Sequence, residues 1–197
     1  MATKKSIFSK YKQLLYAHDI TQRTKESRDW FMKNLKNINI QQKTFLRDTE
    51  LIQKNRPLPG RMFQFVYDPK TKETLPYWDK FPLSVVVGPA PGGFYGLNLH
   101  YLPPPLRLKL FTGLLEYATD DRYDEKTKLR FNYQLLNSVR QLKAYKPCFK
   151  HYLTQHLESK LMMIPPENWE IAVFLPTERF EGESKNKVWR DSKRSVQ

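Results

Sequence analysis

The sequence predicts an α+β fold, in which a small antiparallel sheet or SH3-like half-barrel packs with about three to four helices. Three observations lead to this prediction. Residues 61–101 contain three short segments that alternate in polarity or are rich in β-branched side chains. Residues 104–162 contain longer segments whose leucines recur at helical spacing. The first 60 residues are basic and weakly patterned, which predicts an N-terminal helical arm.

The positive charge is unevenly distributed along the chain. The 197 residues carry a formal net charge of +14, and residues 1–61 hold 14 Lys/Arg against 5 Asp/Glu. We therefore predict a basic arm over 1–60, with a short helix near 27–37, and a compact domain over 61–197 that ends in a polar tail. Such an arm indicates either an anionic partner, which would be nucleic acid or an acidic protein surface, or a solubilising extension.

Strands are predicted in the first part of the domain. RMFQFVYD over 61–68 alternates, LSVVV over 83–87 is β-branched, and GFYGLNLHY over 93–101 alternates again. GPAPGG, between the last two segments, is typical of a hairpin loop.

Helices are predicted after these strands. The spacing of apolar residues predicts helices over 104–118, 123–142 and 147–162. The sequence WEIAVFLP could form a strand or a short helix, and its β-branched content favours a strand over 169–175 that closes the sheet.

Motifs of enzyme chemistry are missing from the sequence. The histidines do not have a zinc-binding spacing, and the single cysteine, Cys148, is typical of a buried apolar position. Asp68 and Asp79 could be placed in a metal-dependent nuclease, but the turn-forming Asp68-Pro69 pair favours a structural role. We therefore expect no catalytic residue, no cofactor and no metal.

The stretch DPKTKETLPYWDKFPL, over 68–83, contains the most conspicuous candidate binding residues. Tyr77, Trp78 and Phe81 either cover one end of the small barrel or contact a partner chain. Phe94 and His100, on the last predicted strand, are further candidates for partner binding. Candidate contacts to nucleic acid or to an acidic surface are the basic residues of the arm, namely Lys4, Lys5, Lys10, Lys12, Arg23, Lys25 and Arg28.

Several long segments resemble one known protein family. FVYDPKTKETLPYWDKFPL, PAPGGFYGLNLHYLPPPLR, LRFNYQLL, KPCFKHYL and FLPTERFEGESKNKVWRDSKR occur in this order. Together they resemble small virion-associated proteins of T-even-like contractile-tailed bacteriophages. The resemblance implies a virion structural protein, a tail or baseplate component, or a DNA end protector, made in the bacterial cytoplasm and carried in the virion. It brings no catalytic residues.

These observations give three functional hypotheses. The first is a non-enzymatic structural component of the tail, baseplate or neck that docks on other virion proteins. The alternative is a DNA-binding protein that protects or organises phage DNA ends, and the third is a metal-dependent nuclease. A membrane partner is not expected, because no apolar run reaches the roughly 18 residues that a membrane span requires.

Overall fold

The computed structural model describes residues 6–118 and 122–194 and has the predicted α+β class. An open antiparallel sheet of six strands forms its centre, so the strands do not close into a barrel. The strands of the protein, in chain order, are β1 (Ile52–Lys54), β2 (Met62–Gln64), β3 (Trp78–Asp79), β4 (Leu83–Ala90), β5 (Gly93–Asn98), β6 (Phe149–Leu153), β7 (Leu161–Ile164) and β8 (Phe180–Glu181).

The strands of the main sheet lie in the order β1-β7-β2-β4-β5-β6, and β3 pairs with β8 in a separate two-stranded ribbon. The central hairpin, β4–β5, shows why the sequence GPAPGG is needed. Gly92 has a φ of +69°, which favours glycine. A Cβ added to Gly93 would collide with the carbonyl oxygen of Tyr152 on β6. Glycine therefore allows the tight turn and the close approach of the neighbouring strand.

Helices and sheet share the main core. Val85, Val87 and Leu97 point from one face of the sheet into this core. The opposite face carries a smaller aromatic cluster, in which the rings of Phe65 and Tyr152 meet edge to face with centroids 5.1 Å apart. The helices are α1 (Ile7–Ala17), α2 (Lys25–Asn34), α3 (Gln42–Phe45), α4 (Pro104–Ala118), α5 (Glu125–Gln141), α6 (Trp169–Phe174) and α7 (Lys185–Arg194).

The N-terminal residues, which we predicted to form a separate arm, share the main core with the domain. Phe8, Leu15 and Phe31 are almost fully buried there. The ring of Phe31 stacks on that of Phe174, on α6, with centroids 5.6 Å apart. The basic side chains therefore decorate helices whose apolar faces are part of the fold.

Two predicted elements are wrong. The helix predicted over 147–162 is replaced in the structure by β6 and the first part of β7, with a turn between them. We predicted a helix because the apolar residues of this segment are spaced by four. Residues four apart lie on one face of a strand as well as on one face of a helix. The predicted strand over 169–175 is the helix α6, which is buried on all sides. Apart from Glu170, the side chains of α6 are all apolar, so the segment has no periodicity by which a strand and a helix could be distinguished.

Candidate functional site

The structure separates the predicted partner-binding residues into two groups. Tyr77 and Trp78 are half-buried and border a cavity at the surface. Phe81, Phe94 and His100 are at most 1% exposed, so they present no side chain to a partner in this structure.

The cavity beside Tyr77 and Trp78, which we call the tyrosine–lysine pocket, has a volume of about 270 Å³. The walls are formed by aromatic side chains from four parts of the chain, and positively charged or ionisable groups also line it. The aromatic residues are Tyr67, Tyr77, Trp78, Tyr101 and Tyr152, and the other groups include Lys70, Lys150 and His151.

The two-stranded ribbon holds Tyr77 and Trp78 in place. Trp78 on β3 pairs with Glu181 on β8, and the amide of Lys80 donates to the carbonyl of Arg179 at 2.7 Å. Gly182, with a φ of +88°, lets the preceding loop pack closely, because a Cβ there would approach the carbonyl oxygen of Pro76 to 2.6 Å. The pocket wall is thus fixed by backbone hydrogen bonds.

Asp79 forms part of the floor of the pocket and is only 3% exposed. Its Oδ1 accepts from the amides of Phe81 at 3.0 Å and Arg179 at 3.1 Å. Its Oδ2 accepts from Asn98 Nδ2 at 3.0 Å and lies 2.6 Å from His100 Nδ1. Four donors therefore surround this carboxylate, which is how a buried charge is held without cost to the fold.

The hydrogen-bond network of Asp79 extends through His100 to Thr177 and Trp189. His100 Nε2 lies 3.1 Å from Thr177 Oγ1. The indole of Trp189, on α7, donates to the carbonyl of His100 at 2.8 Å. The arrangement Asp79–His100–Thr177 resembles a catalytic triad in order, but His100 is fully buried and Thr177 is 1% exposed. No substrate could reach these atoms, so their role is to join β3, β5 and the C-terminal segment.

Lys150, on β6, supplies the positive charge inside the pocket. Its Nζ lies 3.8 Å from the centroid of the Tyr101 ring, which is a cation–π contact. Within residues 6–118 and 122–194, no carboxylate lies within 4 Å of this nitrogen. Burial lowers the pKa of Lys150, against the smaller opposing effects of Cys148 and Asp79. Among the described residues, Lys150 therefore has no carboxylate in ion-pair contact.

Two further polar groups belong to residues that line the pocket. The indole N–H of Trp78 has no hydrogen-bond partner in the part of the chain that the structure describes. The exposed His151 ring lies 5.3 Å from that of Tyr95, and its Nε2 lies 2.9 Å from the carbonyl of Pro91. Aromatic faces next to an unpaired ammonium are suited to a flat base that is attached to a phosphate.

The structure does not bring the predicted basic contacts to this pocket. Lys4 and Lys5 lie outside the described residues, and none of the others lines the cavity. Lys12 is paired with Glu50 at 2.7 Å. Lys10, Arg23 and Lys25 are exposed, and Arg28 Nε lies 4.0 Å from Glu170.

Lys150 was missed as a pocket residue by sequence analysis, because residues 147–162 were predicted to form a helix. A signal existed in the order Phe149-Lys150-His151-Tyr152. With a strand period of two, Lys150 and Tyr152 lie on one face, and both line the pocket.

A second cavity of about 270 Å³ lies where α2, α4 and α7 meet, and it is lined by Arg107. The guanidinium donates to the carbonyls of Val173 at 3.1 Å and Leu102 at 3.3 Å. Glu178 is also there, and although burial opposes its ionisation, nearby His100 and Arg107 bring its pKa to about 2. Lys185 is paired with Glu178 at 3.1 Å. These charges compensate one another, so this cavity is a weaker candidate than the tyrosine–lysine pocket.

The described residues include neither a cluster of metal ligands nor a helix suited to span a membrane. The described part of the chain has no group of three His, Cys, Asp or Glu side chains that could hold a metal ion. Within it, no helix is both long and apolar enough to cross a membrane.

Comparison with known proteins gives one match. The family described as phage T4 terminal DNA protecting protein matches residues 4–193, which is nearly the whole chain. Neither a curated protein nor a solved structure matches it.

Proposed function

The chain belongs to the family of phage T4 terminal DNA protecting proteins, and from this premise we propose that it binds the ends of linear DNA and shields them. The family description supports the second hypothesis from the sequence more strongly than the first, which placed the protein in the tail, baseplate or neck. Protection of a DNA terminus requires that the end itself be covered. The protein therefore needs a surface that fits an end better than the interior of a duplex.

The tyrosine–lysine pocket is the observation that carries this proposal. Proteins that bind unpaired strands combine cationic grooves with aromatic side chains on which bases stack. Tyr77 and Trp78 offer such faces, and Lys150 and Lys70 offer the charge. Bases inside a duplex are stacked on both sides, whereas the last base pair has one free face. A small aromatic pocket is therefore complementary to an end.

The net charge of +14 supplies the general attraction to DNA. Lys10 on α1 and Lys25 on α2 are exposed, because these helices pack their opposite, apolar faces into the core. Contacts of this kind bind phosphates of any sequence and position a protein on the duplex. We propose that they provide affinity, while the pocket provides the preference for an end.

A non-enzymatic role accords with the geometry around the two candidate nuclease aspartates. Asp79 is saturated by four donors inside the protein, and Asp68 is paired with Lys72 at 2.8 Å. Neither carboxylate is free to hold a metal ion against a phosphodiester. We propose that the protein blocks access to the DNA end and performs no chemistry on it.

Docking on other virion proteins remains part of the proposal, since a protector that travels with packaged DNA must be retained in the particle. Tyr16, on α1, is 85% exposed, and Leu142 is 53% exposed after α5. Large exposed side chains of this type are suited to protein contacts. Substitution of Tyr16 by Ser should lower the amount of protein in purified particles without changing DNA binding in solution.

Exonuclease digestion tests the proposed function directly. A linear duplex incubated with the protein should be degraded from its ends more slowly than the free duplex, with a delay that shortens as salt rises. Cleavage of the same duplex by an endonuclease at an internal site is the control and should not change. Equal slowing of both reactions would mean that the protein coats DNA without regard to its ends.

A further inference from the structure

We propose that the tyrosine–lysine pocket holds the terminal nucleotide of one DNA strand, with the terminal phosphate monoester on Lys150 and the base against Tyr77 and Trp78. This inference rests on the proposed function, because it names the chemical group by which an end is recognised.

The size of the pocket limits what can enter. Its volume is about 270 Å³, slightly below the range for ligand sites, which is about 300–1,000 Å³. A duplex cannot enter a pocket of this volume, because the duplex is wider than its major groove, which alone measures about 12 Å across. A single nucleotide at a frayed end can enter, because unstacking the last base costs less than unstacking an internal one. The pocket therefore selects the last nucleotide of a strand by shape.

The charge of Lys150 selects a terminal phosphate over an internal one. A phosphate monoester carries a charge of roughly −1.5 to −2 at neutral pH, whereas each internal phosphodiester carries −1. Lys150 lies in the pocket without a carboxylate partner in the described part of the chain, and its charge is partly desolvated. An entering dianion would pair with it where screening by water is weak.

Among the described residues, Asp79 is the one Asp or Glu that lines the pocket, and its position does not block an anion. Both of its oxygens are occupied by donors from Phe81, Asn98, His100 and Arg179. Lys70, at the edge of the pocket, adds a second positive charge outside this network. The pocket thus offers an unpaired ammonium to the ligand and keeps its carboxylate turned to the protein.

Trp78 explains how a base would be held beside that phosphate. Its ring is half-buried, and its indole N–H has no partner among the described residues. The ring lines the pocket and offers a stacking face, whereas the N–H is itself buried and does not face the ligand. Removing a stacking ring of this kind weakens binding about tenfold or more.

The test compares short duplexes of one sequence that differ only in their terminal groups: a 5′-phosphate, a 3′-phosphate, or hydroxyls at every end. We expect the duplex with one of the two phosphates to bind about tenfold more tightly than the all-hydroxyl duplex, and the identity of that duplex shows which strand end enters. Lys150→Met should remove this preference, so that the three duplexes bind the variant with equal affinity. Lys150→Arg should restore it in part.

Lys146→Met is the matched control, because Lys146 is exposed, lies four residues away and does not line the pocket. It removes the same charge and should keep the preference. Circular dichroism of each variant confirms that it is folded. If all three duplexes bind the unmodified protein equally at their ends, or if Lys150→Met keeps the preference, the inference is wrong and the proposed function stands. If no duplex end is bound at all, both fail.

Discussion

Asp79→Asn isolates the buried network beneath the pocket. The substitution keeps the size and shape of the side chain but replaces one carboxylate oxygen by an NH₂ group and removes the charge. In the native protein, the two oxygens face the amides of Phe81 and Arg179, the side-chain amide of Asn98 and the ring of His100, at 2.6–3.1 Å. An asparagine oxygen can accept from only one of these two pairs.

The size of the effect follows from which pair loses its acceptor. If the NH₂ group faces His100, the imidazole can change tautomer and accept, so the Nδ2 of Asn98 alone is left facing a donor. If it faces the backbone, two amides are left without an acceptor. Each buried donor without a partner costs about 1–3 kcal/mol, so the free energy of unfolding should fall by about 2–4 kcal/mol, including the loss of charge assistance.

Urea unfolding followed by circular dichroism measures this difference. Asp68→Asn is the matched control, because its carboxylate is 36% exposed and contacts Lys72 on the surface. That substitution should cost at most about 1 kcal/mol. If Asp79→Asn lowers the free energy of unfolding no more than Asp68→Asn does, the hydrogen bonds to Asp79 do not stabilise the fold.

Three further predictions follow from other parts of the structure. Phe8→Ala should lower the free energy of unfolding by about 3–5 kcal/mol in urea titrations, because Phe8 is fully buried. A loss below about 1 kcal/mol would mean that the N-terminal segment is a separate arm and not part of the core. Burial opposes ionisation of Glu50, but hydrogen bonds from Lys12 and other donors bring its pKa to about 2, so its stabilisation is complete above pH 4.5 and is lost as pH falls toward 2. Glu50→Gln should therefore cost about 1–2 kcal/mol at pH 7 and almost nothing near pH 2, and a cost independent of pH would contradict this. Burial lowers the pKa of Lys150, which faces Tyr101, Asp79 and Cys148, so this lysine loses its proton before the pH reaches the ordinary lysine pKa of 10.5. End binding should therefore weaken as the pH rises toward 10.5, and the affinity of Lys150→Met measured over the same pH range should not show this step.

The fold class and the central hairpin could be predicted from sequence because their signals are local. β4 is a β-branched run, β5 alternates, and GPAPGG predicts a hairpin between them. The loop is shorter than predicted, because β4 continues to Ala90 and β5 begins at Gly93, which leaves only Pro91 and Gly92 between the strands. The segment over 147–162 could not be assigned in this way. Phe149, Leu153, Leu157 and Leu161 are spaced by four, which is compatible with a helix and with strands. The choice is made by tertiary pairing, since β6 adds to the edge of β5 and β7 lies between β1 and β2.

The N-terminal segment shows a different limit of sequence reasoning. Its charge suggested an extension, although Phe8, Tyr11 and Leu15 form an apolar stripe on α1. A helix can be strongly basic on one face and still bury the other. A deletion of residues 1–26 would therefore remove part of the core, and charge substitutions at exposed positions such as Lys10 are the better probe of electrostatic binding.

The candidate site could be predicted in part. The aromatic pair Tyr77–Trp78 was found because no strand or helix period explained it. Lys150 lies more than 70 residues later and reaches the pocket only through the pairing of β5 with β6. Phe81, Phe94 and His100 had the residue types of a binding surface, but the structure places them inside. Burial of single residues depends on what packs over a strand, which a single sequence does not state.

The number of protein molecules bound per DNA molecule is the most direct test of end binding. At a salt concentration that suppresses general phosphate contacts, linear duplexes of several lengths and a closed circle of the same sequence are titrated and the complexes are counted, for example by native mass measurement. We expect two tight sites on every linear duplex, whatever its length, and none on the circle. A number of sites that grows with duplex length, or equal binding to the circle, would contradict this expectation.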